Sequence, residues 1–458
     1  MTIPSRDDSY VVIDRNGIVE NKHLVHAVVV DSTGQLLLSL GDPSRITLLR
    51  SAAKPAQALA VVETGALEQF GFDDVDLALM CASHSSEERH VARAQQMLAK
   101  SQHVEDQLRC GGHPSINLAI AREWIKRGFE PTGVYNNCSG KHAGMLAGAK
   151  AIAATSDDYH LLTHPIQTRV RQVVEELAGL DEQDVRWGLD GCNMPAPALP
   201  LFHLAKIYAS FAQASDALAS DNSTAKRVQH MGRIFNAMSR NPEMVGGVGR
   251  FDTLLMRAFN GAIIGKVGAD GCYGIGLRAS KRTESLGAVG AIGIAVKIED
   301  GNLDILYAAV AEILEQLKPI SSVVNAILAM SSYSGTCNCG SITVTLNAAP
   351  SATLACHCSN CRRSGGPFSI NYLLEEKDFT VSDPKSSAKQ YLDSNTASKA
   401  SVTRTFCQTC GSPLFSQPEK LPGKYFVKAS LFDEIPSARS DIFLERKIHW
   451  EGDVEVSA

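Results

Sequence analysis

The 458-residue chain has no run of about 18 apolar residues, so no segment is expected to cross a bilayer as a helix. It has no surplus of basic charge. Lys and Arg total 44 against 49 Asp and Glu, a net charge of −5, which argues against nucleic acid as the main partner. The start, MTIPSRDDSYVVIDRNG, is polar and carries acids, so neither a secretory nor a transit leader is expected. Charged residues make up only 20% and apolar residues 44%, which excludes a disordered polyampholyte. No internal repeat and no low-complexity tract is visible. These absences leave a soluble protein, expected to be cytoplasmic, of about three domains or lobes at roughly 150 residues each.

Cysteine is scarce early and dense late. Cys81, Cys110, Cys138, Cys192 and Cys272 are scattered, whereas Cys337, Cys339, Cys356, Cys358, Cys361, Cys407 and Cys410 crowd into a short stretch. Close pairs such as Cys337-x-Cys339 and Cys407-x-x-Cys410 in an unsecreted chain point to metal before disulfides. The helical pattern Leu303 to Leu317 ends at Lys318-Pro319, and two Ser-Ser pairs follow. We therefore expect a head at 1–318, a linker at 319–332 and a tail at 333–458.

The head alternates strand-like and helix-like runs, a mixed α/β (α+β) pattern. HLVHAVVVDSTGQLLLSL reads as a hairpin turning near Asp31–Gly34. Pro55 begins a helix, and Thr168 to Ala178 has helical period. VDLALMCAS reads as a buried strand, and GAIIGKVGADGCYGIGL alternates glycine with β-formers. The tail is β-rich, with TCNCGSITVTL, FSINYLL and KYFVKASLF as strands.

Arg50-Ser51-Ala52-Ala53-Lys54-Pro55 contains Ser-x-x-Lys at a helix start. A spacing of three is one turn, so hydroxyl and amine share a face. A serine hydroxyl is a poor nucleophile without a base, and a lysine serves only when its surroundings lower its pKa from about 10.4. Serine β-lactamases and penicillin-binding proteins use this motif. Alone the motif is weak, and it more often describes an N-capping serine beside a solvated lysine. Four further segments concentrate polar groups in turns: CASHSSEE from Cys81, NNCSGKHAGM from Asn136, GLDGCNMP from Gly188 and GKVGADG from Gly265. His84 and His90 read as surface or cap residues, and Cys81, Cys110 and Cys272 as core or near-site thiols.

RSAAKP, CASHS, NNCSGKHAGML, GLDGCNMPA and GKVGADG, in this order, resemble the Rhizobium etli-type L-asparaginase II family over about residues 1–318. The resemblance implies a serine β-lactamase/glutaminase-like fold and hydrolysis of L-asparagine to L-aspartate and ammonia. It implies two Ser–Lys pairs. Ser51 is the nucleophile with Lys54 as its base, and Ser83 with Lys266 relays protons. It also implies a zinc site on Cys138, Lys141 and Cys192 with an open fourth position, and a homodimer. Asp190 lies beside that site as an orienter or a substrate contact. Arg50 and His142 are candidates for the substrate carboxylate. The family's own C-terminal segment is replaced here by the tail. The rival reading is a penicillin-recognising acyl-transferase with a structural or partner-binding tail.

In the tail, CNCG, CHCSNCRR and FCQTCG form a metal signature. Cys337, Cys339, Cys407 and Cys410 can close an all-thiolate structural zinc site. Cys356, Cys358 and Cys361 leave one coordination position open, for which His357 competes. CNCG, CHCSNCRR, GGPF and FCQTCGSPLF resemble the glutathione-dependent formaldehyde-activating, or centromere-protein-V-like, family over about 333–435. That resemblance implies a zinc-bound β fold and a carbon–sulfur lyase-type activity joining glutathione and formaldehyde to S-hydroxymethylglutathione. Arg362 and Arg363 either contact a glutathione carboxylate or are solvated. The tail's basic and acidic residues balance, which discourages a DNA-binding zinc-finger reading.

Overall fold

The computed structural model describes residues 9–220, 224–317, 333–346, 350, 352–432, 435 and 439–446. The expected linker at 319–332 lies outside the described residues. Contacts divide the chain into two compact units, Met1–Ile327 and Leu328–Ala458. No helix among the described residues is long and apolar enough to cross a membrane.

The head strands are β1 Tyr10–Arg15, β2 Ile18–Asp31, β3 Leu36–Leu40, β4 Ile46–Leu48, β5 Arg186–Leu189, β6 Pro195–Pro200, β7 Ile263–Gly268, β8 Cys272–Leu277 and β9 Ile292–Ile298. Its helices are α1 Lys54–Val62, α2 Ala66–Phe70, α3 Asp74–Met80, α4 Glu88–Lys100, α5 Leu118–Lys126, α6 Ser139–Ala151 and α7 Pro165–Ala178. They continue as α8 Leu201–Ser220, α9 Lys226–Arg240, α10 Pro242–Val245, α11 Phe251–Ala258, α12 Lys281–Ser285 and α13 Leu303–Leu317. The main sheet runs β1-β2-β9-β8-β7, with β3 also on β2, and a second sheet runs β4-β6-β5. Every pairing in both sheets is antiparallel.

Successive strand residues face opposite ways. Tyr273 of β8 packs its ring against Phe251 of α11 and Tyr307 of α13. Its neighbour Gly274 faces Tyr208 of α8. Helices therefore cover both faces, which explains why β7, β8 and β9 are buried along their whole length. The lack of side chains at Gly274 and Gly293 lets α8 lie directly on the sheet. A Cβ at Gly293 would collide with the Ala205 carbonyl of α8. That contact seats Tyr208, whose hydroxyl donates to the Ala52 carbonyl at 2.8 Å.

The expected hairpin, the helix begun by Pro55 and the helix Leu303–Leu317 are present. VDLALMCAS is not a strand. Asp73 caps Val75 and Asp76 through its side chain, the Asp76 carboxylate returns to the Asp73 N–H, and residues 74–80 wind into α3. The buried run on α3 imitates a strand because that helix is enclosed on several sides.

The tail is β-rich. Among the described residues it comprises β10 Tyr333–Thr336, β11 Thr343–Leu346, β12 Thr353–Cys356, β13 Ser369–Glu375, β14 Phe379–Ser382, β15 Ala388–Asp393, β16 Val402–Cys407, β17 Pro413–Pro418, β18 Lys424–Lys428 and β19 Arg439–Ile442, with the α-helix α14 Ser359–Gly365. One sheet runs β10-β11-β14 and the other β15-β16-β17-β18-β13-β12-β19. The mixed helix-and-sheet head and β-rich tail are the expected fold class.

Replacing Gly293 with alanine is expected to push α8 off the sheet and cost the head about 3 kcal/mol. A urea titration followed by tryptophan fluorescence should show the lowered midpoint; an unmoved midpoint would contradict the packing described.

Candidate functional site

The backbone turns sharply at the end of β4. Arg50 has φ 50°, a conformation most side chains avoid, and a 3-10 turn over Arg50–Ala53 runs straight into α1. The Lys54 N–H bonds to the Ser51 carbonyl, so Ser51 and Lys54 sit one turn apart. Ser51 is half-buried and Lys54 is fully buried. Its Nζ contacts the Ala82 carbonyl, Ser83 Oγ at 3.0 Å and Cys138 Sγ at 3.2 Å.

Ser83 follows α3 rather than a strand. The Ser83 N–H bonds to Val245 O, His84 N–H to Asn137 O, and Ser85 N–H to Gly246 O, which fixes this segment between two loops. His84 is not at the surface. It is fully buried, its Nδ1 accepts from the Ser86 N–H, and Nε2 lies 2.9 Å from Ser139 Oγ. Burial pushes its pKa well down, so the ring is neutral and Nε2 donates. His90 caps α4, its Nδ1 accepting from the Glu87 N–H.

Cys138 precedes α6, where Asn136 Oδ1 accepts from the Cys138 N–H at 2.9 Å. One turn into α6, Lys141 Nζ lies 3.2 Å from Cys192 Sγ. The Cys138 thiol donates to the Cys192 sulfur. That bond, with burial, pushes Cys138 up, while the bond and Lys141 push Cys192 down to about 5. Burial alone would lower Lys141, but Cys192, Cys138 and Asp190 hold it above its ordinary value. Cys138, Lys141 and Cys192 thus form one buried cluster. Burial, then the nearby Cys138 and Cys192 sulfurs, pushes the Cys110 thiol up, and Cys81 and Cys272 are fully buried.

Arg50 Nε donates to Asp190 Oδ1 at 2.7 Å, and its Nη1 to Asp270 Oδ2 at 2.5 Å. Burial opposes the Asp190 charge, yet Lys141 and Arg50 hold its carboxyl below the usual range. His142 is buried in α6 with Nδ1 2.7 Å from the Tyr159 hydroxyl. Burial, then Lys141, pushes it down to about 3. Its Nε2 is buried and has no hydrogen-bond partner among the described residues.

Lys266, in β7, does not meet Ser83. Its Nζ lies 3.2 Å from Asp252 Oδ2 of α11 and 2.9 Å from the Val267 carbonyl. Ser83 is bonded to Lys54 instead. Gly268 presses on the Leu49 carbonyl, so β7 runs beside the Ser51 turn. A cavity of about 510 Å³ lined by Arg240, Arg257 and Arg278 shares no residue with this cluster.

In the tail, the sulfurs of Cys337, Cys339, Cys407 and Cys410 lie within 4.8 Å of one another, as do those of Cys356, Cys358 and Cys361. Cys337–Cys339 is 3.5 Å and Cys339–Cys407 is 3.7 Å. Tetrahedral zinc with Zn–S about 2.3 Å puts its sulfurs about 3.8 Å apart, so the four-thiol group fits that ion. His357 turns away from the three-thiol group, with Nε2 3.3 Å from Asp441 Oδ1. A cavity of about 310 Å³ opens onto Cys356, Cys358 and Cys361 and is also lined by Arg404, Phe426 and Lys428. Lys428 is buried, donating to Ser369 Oγ and Asn371 Oδ1. Arg362 and Arg363 are exposed, and Arg362 donates to the Arg446 carbonyl.

Asp252, Asn136, Tyr208, Arg404 and Lys428 were not singled out in the sequence. Asp252 reads there as an ordinary acid in a first helical turn, and Lys428 as one of many tail lysines. Only Asn136 carried a signal, an Asn-Asn pair before a helix, which favours a side-chain bond two residues on.

The sequence profile described as L-asparaginase II matches residues 11–343, and that described as glutathione-dependent formaldehyde-activating enzyme matches residues 332–447. A comparison with curated proteins found no match. Among solved structures, a Rhodobacter sphaeroides protein is 24% identical over 23% of this chain and 99% of its own, with a TM-score of 0.19. Mglu in its native form is 14% identical with a TM-score of 0.32, and the chain spans 64% of its length while 64% of this chain is covered. A Bacillus subtilis probable glutaminase is 12% identical over 65% of this chain and 89% of its own, with a TM-score of 0.29. These superpositions are loose and say nothing about activity. The family profile takes in well over half of the chain, including every head segment described above, and the protein belongs to the L-asparaginase II family, with a formaldehyde-activating-type region after it.

Proposed function

We propose that the head hydrolyses the side-chain amide of L-asparagine. The observation that carries this is the buried Lys54 amine, one turn from Ser51 and bonded to Ser83 and Cys138. Ser51 Oγ attacks the amide carbon while its proton passes to Lys54. Lys54 returns that proton to the departing nitrogen, ammonia leaves, and an ester to Ser51 remains. Water then attacks the ester, and L-aspartate is released with the Ser51 hydroxyl restored. Ser83, bonded to Lys54, gives the proton a second resting place.

The substrate is a zwitterion, and Arg50 is the cation suited to its carboxylate. Its bond to Asp190 is part-buried, but Asp270 is 75% exposed. The incoming carboxylate displaces the exposed acid and keeps the buried one. Cys138, Lys141 and Cys192 suit zinc: the bond to Cys138 and the Lys141 amine favour ionisation of the Cys192 sulfur, and that amine must lose its proton to bind. Such an ion supplies fixed positive charge beside Asp190 when bound.

For the tail, we propose that Cys337, Cys339, Cys407 and Cys410 hold a structural zinc ion. Cys356, Cys358 and Cys361 hold a second, facing the cavity. That cavity takes a glutathione thiol and formaldehyde, whose addition forms one carbon–sulfur bond and moves the thiol proton to the new hydroxyl.

Ser51→Ala is expected to lower ammonia release from L-asparagine about 10³-fold or more, measured at steady state with L-glutamine as the comparison substrate. Turnover equal to that of the unaltered protein would rule out Ser51 as nucleophile. Asp270→Asn removes the exposed competitor for Arg50. An exposed pair is worth about 0–1 kcal/mol, so KM for L-asparagine should fall by up to about fivefold with kcat unchanged. Cys407→Ser should release the four-thiol zinc ion, with loss of at least one zinc per chain by elemental analysis, and melt the tail while ammonia release persists. Loss of ammonia release together with the tail would contradict independent units.

A further inference from the structure

Asp252 is a buried carboxylate that the proposed chemistry does not use. It is 3% exposed, and each of its oxygens is engaged. Tyr273 Oη donates to Oδ1 at 2.8 Å, while the Val267 N–H and Lys266 Nζ donate to Oδ2 at 3.3 and 3.2 Å. Three donors from β7 and β8 thus centre on one acid of α11. Lys266 pairs with Gly274 in the sheet, so its side chain leaves on the face of Tyr208 and the Ser51 turn. α11 packs its Phe251 against Tyr273, on the opposite face. β7 is the edge strand, and Asp252 meets the ammonium past that edge.

We propose that Asp252 is a positioning residue of the amidohydrolase site: its carboxylate fixes the place of the Lys266 ammonium and keeps it charged beside the Ser51 turn. The inference rests on the amidohydrolase reading of the head. A fixed buried cation there stabilises negative charge that develops on the reacting carbonyl oxygen, and it costs no reorganisation during the reaction. The charged groups bearing on Lys266 are Asp252 from α11, Lys54 from α1 and Arg250 ahead of α11. The Cys81 thiol at the end of α3 in turn feels Lys266, and Tyr273 of β8 faces the same acid. Burial pushes the Lys266 amine down to about 8, with Lys54 and Arg250 adding to the fall and Asp252 opposing it. Removing that one anion therefore lowers the amine further, and the ammonium is lost at lower pH.

The test is the pH dependence of L-asparagine hydrolysis by the full chain. In Asp252→Asn the basic limb of kcat/KM should move down by about one to three pH units, the effect of one nearby opposite charge. KM at pH 6 should be little changed. In Asp252→Glu the charge stays but the ammonium is displaced, so kcat should fall severalfold with the basic limb in place. Tyr273→Phe keeps the charge and should leave the limb in place as well. Superimposable profiles for Asp252→Asn and the unaltered protein would overturn the proposal. So would an unaltered kcat in Asp252→Glu, which decides the matter if the asparagine variant does not fold. If the unaltered protein releases no ammonia from L-asparagine, the amidohydrolase reading fails on its own. Asp252 is then judged by NMR of lysine labelled at 13Cε, with the Lys266 signal identified through Lys266→Met. A lower titration midpoint in Asp252→Asn supports the positioning role, and an unmoved one overturns it.

Discussion

A primary amine shut away from water must find partners for its N–H groups, because an unpaired polar group in a protein interior costs several kcal/mol. Lys54 is such an amine, and its partners come from elsewhere in the chain: the Ala82 carbonyl, Ser83 Oγ and Cys138 Sγ. Satisfying it ties the start of α1 to the segment after α3 and to the turn before α6. Each of those segments is secured independently. Ser83 and Ser85 bond to Val245 and Gly246, Asn136 fixes Cys138, and Tyr208 fixes Ala52. The Ser51 turn therefore meets an amine whose position is set by the surrounding core.

Lys54, Lys141 and Lys266 are all nearly or fully buried in this region, an arrangement that repulsion alone would forbid. The structure resolves it by pairing. Lys141 has Cys192, Lys266 has Asp252, and Arg50 has Asp190. Lys54, by contrast, contacts a carbonyl, a hydroxyl and the Cys138 sulfur. Lys54 is therefore the one of these three amines not tied to an anion, and it is also the one spaced a turn from Ser51.

Ser51 with Lys54, Cys138 with Lys141, and the tail cysteines were legible because each set is local in sequence. A spacing of three fixes a shared helical face, and close cysteine pairs fix a knuckle, whatever the rest of the fold does. The pairing of Ser83 was not legible. It depends on which of two amines, Lys54 or Lys266, reaches one hydroxyl across the interior, and periodicity is silent on that. Asp252 was hidden for the same reason. The error at residues 75–83 has another origin: a helix enclosed on most sides shows no polar face, so its run of apolar residues imitates a strand. Only the capping pair Asp73 and Asp76 distinguishes the two.

The two thiol groups of the tail differ in what closing them does to the chain. Cys356, Cys358 and Cys361 span the end of β12 and the start of α14, so gathering them constrains six residues that are already close. Cys339 and Cys407 are 68 positions apart, and their group joins the turn after β10 to the turn after β16. It thereby ties the three-stranded sheet to the seven-stranded one. Constraint on the unfolded chain grows with the length of the loop closed, so a shared ion acts mainly on folding at the second group. The first group spends little on holding the tail together, and it is the one that faces the cavity beside Lys428 and Arg404. The two groups are thus set apart by the length of loop they close and by the neighbouring cavity rather than by their side chains, which are thiols in both.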